Sequence, residues 1–255
     1  MKQYSIREIE HILSNSTYQE FIGLKEELIK DERRGVHNLV LKFENKFKMI
    51  NKRLEEYRRR KMYEDRLLKE GVTYIAGVDE VGRGPLAGPV YAAAVILNPE
   101  VDIIEIKDSK KLSMNQRSEI SKKIRESCLA YSVAYASVEE IDRFNILNAT
   151  KLAMIRAIEG LRIRPEHILI DALRLEGLDI PQTSIIKGDD ISISIGAASI
   201  IAKVERDNFM NEISQKYPNY YFEKNKGYGT PEHIDAIRRH GISDVHRKTF
   251  VKNIV

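Results

Sequence analysis

The stretch TYIAGVDEVGRGPLAGPVYAAAVIL, residues 73–97, decides the fold. An apolar run ends in two acids, Asp79 and Glu80. A glycine turn comes at once, with Arg83 between Gly82 and Gly84, and then a second apolar run bounded by Pro89 and by Asn98-Pro99. Glycine turns after strands usually cradle phosphates, and carboxylates repel phosphates. A dinucleotide-binding turn fails here on its spacing, G-x-G-x-x-x-G, and on Pro85 and Pro89, which flank what should be a helix start. The next segment, VYAAAVIL, has the texture of a strand and not of a helix. The stretch therefore reads as strand, turn, strand, with carboxylates at the strand's end.

The same design recurs along the chain. HILIDA (167–172) is a short buried strand ending in Asp171, and TSIIKGDD (183–190) reads as an apolar strand leading to Asp189 and Asp190. AYSVAYASV (130–138) alternates and predicts a further strand. Helical patterns lie between them: NQRSEISKKIRESCL (115–129), NILNATKLAMIRAIEGLRI (145–163, ended by Pro165), GAASIIAKVERDNFMNEISQKY (196–217, stopped by Pro218) and GTPEHIDAIRRHG (229–241). Strands mixed with helices predict an α/β domain from about residue 71 to 255 with a helical C-terminal portion.

Acids at strand ends can converge across long sequence distances; Asp79 and Asp171 are 92 positions apart. Three or four carboxylates cannot all stay ionised together without a counterion. Oxygen-only ligation favours Mg²⁺ or Mn²⁺, and such ions usually serve phosphate substrates. Two of them would activate a water and stabilise a leaving oxygen in phosphodiester hydrolysis. Backbone N–H groups at Gly82, Arg83 and Gly84 can then approach the sugar–phosphate closely, because glycine has no Cβ. For any single strand-end acid a turn or cap role is commoner.

Residues 1–70 differ in texture: no proline, few β-branched runs, many Glu, Lys, Arg and Leu. SIREIEHILSN (5–15) carries a capping box, Ser5 with Glu8. Residues 38–70 read as a long amphipathic helix broken once, with eleven Lys or Arg against five acids between Lys42 and Lys69. A solvated face and a phosphate-tracking arm explain such a run about equally well. Over the 255 residues a net charge of +4 permits a polyanionic partner without demanding one. One cysteine, Cys128, excludes an intrachain disulfide and fits a reducing compartment. No apolar run reaches the length of a membrane helix and the start lacks a signal-peptide core, so a cytoplasmic protein is expected, with no membrane partner.

The motifs GVDEVGRGPLAGPV, DSKKLS, NILNAT, ILIDA, IIKGD, AASIIAKVERD, NKGYGT and HRKTF, in that order, resemble ribonuclease HII, the bacterial type 2 ribonuclease H, over about residues 73–250. The resemblance implies a ribonuclease H-like fold, a central mixed sheet flanked by helices, here preceded by an all-helical extension. It implies endonucleolytic hydrolysis of RNA in RNA–DNA hybrids, and incision on the 5′ side of single ribonucleotides in duplex DNA, leaving 3′-hydroxyl and 5′-phosphate ends. The matching catalytic, metal-holding acids are Asp79, Glu80, Asp171 and Asp189, with two Mg²⁺ or Mn²⁺ ions when substrate is bound. Asp79 would bridge both, Glu80 and Asp171 would face the leaving group, and Asp189 would face the water.

Gly82, Arg83 and Gly84 would read the ribose 2′-hydroxyl and Tyr228 would pack on the next sugar. Ser109, Lys110 and Lys203 resemble phosphate contacts. The protein is expected to act as a monomer. The alternatives are another nuclease of this fold, such as ribonuclease HIII, and a hybrid-binding protein that does not cut; the strand-poor start argues against the former and the full acid set against the latter. Departures are small: Ala172 stands where glycine is common, Gly196 where alanine is common, and Asp190 where a small residue is usual. Ser199 reads as packing, His167 as structural, and His246 as a packed or solvated tail residue.

Overall fold

The computed structural model describes residues 4–106, 109 and 112–254. Lys110 lies outside them. The chain divides into two compact units, Met1–Arg58 and Arg59–Val255.

The first unit is helical. Helix α1 (Ile6–Asn15) and helix α2 (Tyr18–Leu28) each begin with a closed capping box, Ser5 with Glu8 and Thr17 with Glu20. In each, the cap hydroxyl accepts an otherwise orphaned helix N–H and the glutamate accepts the cap's own N–H. Helix α3 starts at Arg34 and runs to Arg60. Ile9, Leu13, Phe21, Leu28, Val36, Val40, Phe43 and Phe47 interlock as the core of this unit. The break expected in the long basic helix falls at Lys61, which precedes helix α4 (Met62–Lys69).

The second unit holds a five-stranded mixed sheet in the order β3-β2-β1-β4-β5. Its strands are β1 (Ile75–Val81), β2 (Val90–Ile96), β3 (Ala130–Ala136), β4 (His167–Asp171) and β5 (Gln182–Ile185). Strands β1, β2 and β3 run antiparallel in sequence, and β1, β4 and β5 run parallel. Strand β2 is buried on both faces, and its side chains sort by period two. Ala92, Ala94 and Ile96 join the cluster that contains helix α6 (Val138–Glu159), while Ala93 and Val95 join the cluster under helices α5 (Met114–Ser127) and α8 (Ile193–Lys216). Helix α6 ends at Gly160, ahead of Pro165, and is interrupted at Asn145, where φ is 67°.

Helix α8 lies directly on β1. A Cβ at Gly77 would overlap the backbone of Ser194 and Ile195, so only glycine permits this approach. The acids Asp189 and Asp190, read as the end of a strand, sit instead on the one-turn helix α7 (Gly188–Ile191) between β5 and α8. Helices α9 (Phe222–Asn225), α10 (Pro231–His240) and α11 (Lys248–Val251) form the C-terminal portion, packed around Ala87, Met210, Tyr220, Phe222 and Ile237. Among the described residues no helix is long and apolar enough to cross a membrane.

Candidate active site

The register of the sheet assembles the acids. Val78 on β1 pairs with Ile170 on the parallel strand β4, so the next residues along, Asp79 and Asp171, emerge side by side. One carboxylate oxygen from each of Asp79, Glu80 and Asp171 lies within 4.8 Å of the others. Asp79 is 5% exposed, and burial with the neighbouring Glu80 charge holds its carboxyl well above the usual range. Glu80 is also raised, chiefly by burial and opposed by Arg83, whose Nη1 lies 3.4 Å from Glu80 Oε1. Glu80 Oε2 is buried without a hydrogen-bond partner. Three clustered carboxylates, two of them driven toward protonation and one with an orphaned oxygen, fit a hard divalent cation, which would favour their ionised forms.

Backbone N–H groups fix the cluster. The Glu80 N–H donates to Asp79 Oδ1 at 2.8 Å, and the Gly188 N–H donates to Asp171 Oδ1 at 2.6 Å. The Ser199 hydroxyl lies 3.1 Å from the Ser109 hydroxyl, and its dipole beside Asp79 works against the upward shift of that carboxyl. Ser199, read as packing, thus stands beside the most buried acid of the three and is bonded to Ser109. Ser109, matched to a phosphate contact, is 4% exposed and faces Ser199. Ala172, directly after Asp171, has φ 50°, a conformation costing a non-glycine residue about 1–2 kcal/mol, so this departure from glycine leaves strain beside an acid.

Asp189 is not a member of the group formed by Asp79, Glu80 and Asp171. It is half-buried on α7, and its carbonyl accepts a hydrogen bond from Arg60 Nη2 at 2.7 Å. Lys203 Nζ is engaged by Asp207 Oδ1 at 2.6 Å, and Arg117 Nη1 reaches the other oxygen of the same carboxylate at 3.0 Å. Arg117 also donates to the carbonyls of Ser109 and Leu112.

The glycine turn and Tyr228 are brought together: a Cβ at Gly84 would lie 3.8 Å from Tyr228 Cε1, and Tyr228 is 44% exposed. Two fully buried arginines hold the turn from beneath. Arg247 donates to the carbonyls of Gly82 at 2.5 Å, Arg83 at 2.8 Å and Gly88 at 2.9 Å. Arg206 donates to the carbonyls of Ala87, Pro89 and Lys226 at 3.0–3.2 Å. Gly82 has φ 94°, and a Cβ there would overlap the Arg206 side chain. Burial and the Arg206 charge pull Arg247 down to about 9, still charged at neutral pH.

A second brace reaches Tyr228. The Ser243 N–H donates to His246 Nδ1 at 2.9 Å, which puts the His246 proton on Nε2. That proton faces His233 Nε2 at 3.0 Å, and His233 Nδ1 then donates to the Tyr228 carbonyl at 2.8 Å. Both imidazoles are held below the ordinary histidine range by burial, His246 at about 4. His246 is thus packed and also two bonds from Tyr228.

A family model described as ribonuclease HII matches residues 76–253, and one described as ribonuclease HII N-terminal domain matches residues 5–68. Ribonuclease HII of Staphylococcus saprophyticus is 48% identical over 250 residues, covering 97% of this chain and 95% of the relative. Ribonuclease HII of Clostridioides difficile is 44% identical over 255 residues, covering all of both chains. The crystal structure of ribonuclease H2 from Pyrococcus horikoshii superposes with a TM-score of 0.60 at 27% identity, covering 71% of this chain and 96% of that one.

Proposed function

We propose, for a chain that belongs to the ribonuclease HII family, that Asp79, Glu80, Asp171 and Asp189 form one cutting site that incises a duplex 5′ of a single embedded ribonucleotide. Family membership makes the protein a ribonuclease H, an endoribonuclease acting on RNA–DNA hybrids. The finer reading adds 3′-hydroxyl and 5′-phosphate products and a role in clearing ribonucleotides from DNA, carried out in the cytoplasm by a monomer. The observation that carries it is the carboxylate group at 4.8 Å standing beside a glycine turn and an exposed tyrosine.

Asp79, Glu80 and Asp171 would hold Mg²⁺ or Mn²⁺, with Asp189 completing the set from α7. The ions' contribution when bound is to neutralise the phosphate at the cut and to make a water nucleophilic at neutral pH. The chain does the rest. The Glu80 N–H keeps Asp79 oriented. The Gly82–Gly84 backbone, its Gly82 and Arg83 carbonyls turned inward to Arg247, can approach a ribose and read its 2′-hydroxyl. Tyr228 would pack on the following sugar. Ser109, Lys110 and Lys203 would serve phosphates, Lys203 only by leaving Asp207.

The helices of residues 1–70 would add affinity through exposed Lys46, Lys48, Lys52 and Arg53 on α3. Replacing those four by Gln should weaken duplex binding and flatten its salt dependence; an unchanged salt slope would make the segment structural. Deleting residues 1–70 is a poorer test, because it also removes Arg60 and Glu64, which belong to the second compact unit. For the site itself, Asp79→Asn assayed with Mg²⁺ on a duplex bearing one ribonucleotide should cut about a thousandfold more slowly or worse. Near-normal cutting would sink the assignment. An all-DNA duplex should stay intact.

A further inference from the structure

Helices α3 and α4 end a run of charges that looks like surface. Yet Tyr57, Arg60, Glu64 and Leu67, at alternating spacings of three and four, are all less than a tenth exposed. Arg60 and Glu64 are therefore charges placed on a buried stripe. Within the second unit both point at the segment that carries Asp189.

Arg60 Nη2 donates to the Asp189 carbonyl at 2.7 Å, and Nη1 donates to the Ile106 carbonyl. One guanidinium fork thus ties α7 to the end of the segment that leads toward Ser109. Four residues on, Glu64 Oε1 accepts from the Ser192 hydroxyl at 2.5 Å and from the Ser194 N–H at 2.9 Å. Ser192 is the N-cap of α8, so Glu64 braces the junction between α7 and α8. Room for the fork comes from Gly196. A Cβ there would lie 3.0 Å from Arg60 Nη2, 3.1 Å from the Asp189 carbonyl oxygen and 3.2 Å from Ile106 Cγ2, tight against all three groups of the clip.

We propose that Arg60, seated in the space left by Gly196 and backed by Glu64, is a positioning residue that sets where Asp189 stands relative to Asp79, Glu80 and Asp171. The physical need is specific. Asp79 and Asp171 lie on paired strands whose ladder fixes them, whereas Asp189 sits on a helix of four residues, which has almost no hydrogen bonding of its own to define its place. A buried, charge-assisted fork supplies that definition. The inference rests on Asp189 belonging to the site.

The test uses the full chain with Arg60→Met, Arg60→Lys, Gly196→Ala and Asp189→Asn. Three quantities are read: Mn²⁺ affinity of the free protein by electron paramagnetic resonance, the Mg²⁺ concentration giving half-maximal cutting, and hydrogen exchange of the 188–195 amides. Arg60→Met should speed exchange at 188–195 and weaken both metal responses by roughly tenfold, the scale of one charge-assisted hydrogen bond. Arg60→Lys keeps the charge but loses the fork, and should recover only part. Gly196→Ala should shift the metal responses the same way by less, and adding it to Arg60→Met should change little, because both act on one contact. Likewise Arg60→Met should add little on top of Asp189→Asn.

Metal responses unchanged by Arg60→Met overturn the inference, whether or not the melting temperature falls. Metal responses unchanged by Asp189→Asn overturn instead the assignment of Asp189 to the site. Should Arg60→Met fold too poorly to assay, Gly196→Ala decides alone: an unaltered metal response with that variant counts against the clip.

Discussion

The place proposed to read a ribose lies between Gly84 and Tyr228, two walls supported on opposite principles. On one side the Gly82–Gly84 turn is held by Arg247, and the loop after it by Arg206, buried guanidiniums that hold five carbonyls there, with Arg206 also reaching the Lys226 carbonyl near Tyr228. On the other side the Tyr228 carbonyl is held by His233, itself held by His246, two imidazoles that remain neutral. Both walls solve one problem, buried backbone oxygens that need donors. The charged wall is insensitive to pH near neutrality and costly to breach. The neutral wall is cheaper to breach and loses its imidazole–imidazole bond once His233 takes up a proton, leaving the Thr230 N–H as a second donor to the Tyr228 carbonyl. The glycine turn has the permanent cations, and the exposed tyrosine proposed to pack on substrate has the softer support.

Breaking the charged wall should have the largest effect. Arg247→Met removes three hydrogen bonds and leaves the Gly82, Arg83 and Gly88 carbonyls without that donor. The expected loss is about 3–5 kcal/mol of stability, the range for breaking a buried charged network. For a unit of this size that is a fall in melting temperature of about 10 °C or more. Discrimination between a ribonucleotide and a deoxyribonucleotide should fall with it, read as the ratio of cutting rates on the two duplexes. A variant as stable and as selective as the parent would show that the arginines are not what shapes the turn.

The neutral wall should give way on acidification, with a sign opposite to that of the acid cluster. His246 is held at about 4 in the folded protein and titrates near 6.5 when unfolded. Between those values the unfolded chain binds more protons, so stability falls as pH falls from about 6.5 toward 4 and is fully present above 6.5. The loss amounts to about 2–3 kcal/mol by pH 4. Asp79, Glu80 and Glu64 are shifted upward by burial and favour the folded state as pH falls, so the raw profile mixes the two. The difference between parent and His246→Gln isolates the histidine. Unfolding by urea at pH 7.5 and 5 should show a steeper loss in the parent. Parallel losses would mean that His246 is not neutral when folded.

The acids and the two walls differ in how legible they were in the sequence. Strand-borne acids could be read, because β periodicity and the residue after it are local signals; Asp79, Glu80 and Asp171 needed only adjacent strands to meet. The Ser5–Glu8 capping box was local as well, whereas the place of the break in the long basic helix, Lys61, came only from the structure. Asp189 reads as a third acid-bearing strand end because TSIIKGDD does not reveal that Lys187, at φ 58°, turns the chain into a helix first. The braces escaped for a different reason. Arg247 and Gly82 are 165 residues apart, and no local pattern couples a tail arginine to a turn.

A signal did exist for two of them. On α8 the buried residues Ala198, Ala202, Arg206 and Met210 recur every fourth position, so Arg206 stands in an apolar stripe where a charge needs a reason. Arg60 stands in the stripe of Tyr57, Glu64 and Leu67 in the same way. Gly196, in sequence only a departure from alanine, gains a reason from the Arg60 guanidinium beside it.

The smallest effect comes from the helix that presents His233. Helix α10 starts at Thr230, whose hydroxyl accepts the His233 N–H at 3.3 Å, while the Thr230 N–H donates to the Tyr228 carbonyl at 2.8 Å. Thr230→Ala removes only the cap and keeps the backbone bond. It should cost about 1 kcal/mol, a drop of about 2–4 °C, and Thr230→Ser should restore most of it. Because the imidazole chain to Tyr228 survives in both, ribonucleotide selectivity should not move. Were selectivity to fall with Thr230→Ala while His246→Gln left it intact, the helix start and not the histidine pair would be what supports Tyr228, and the neutral wall would have to be redrawn around the cap.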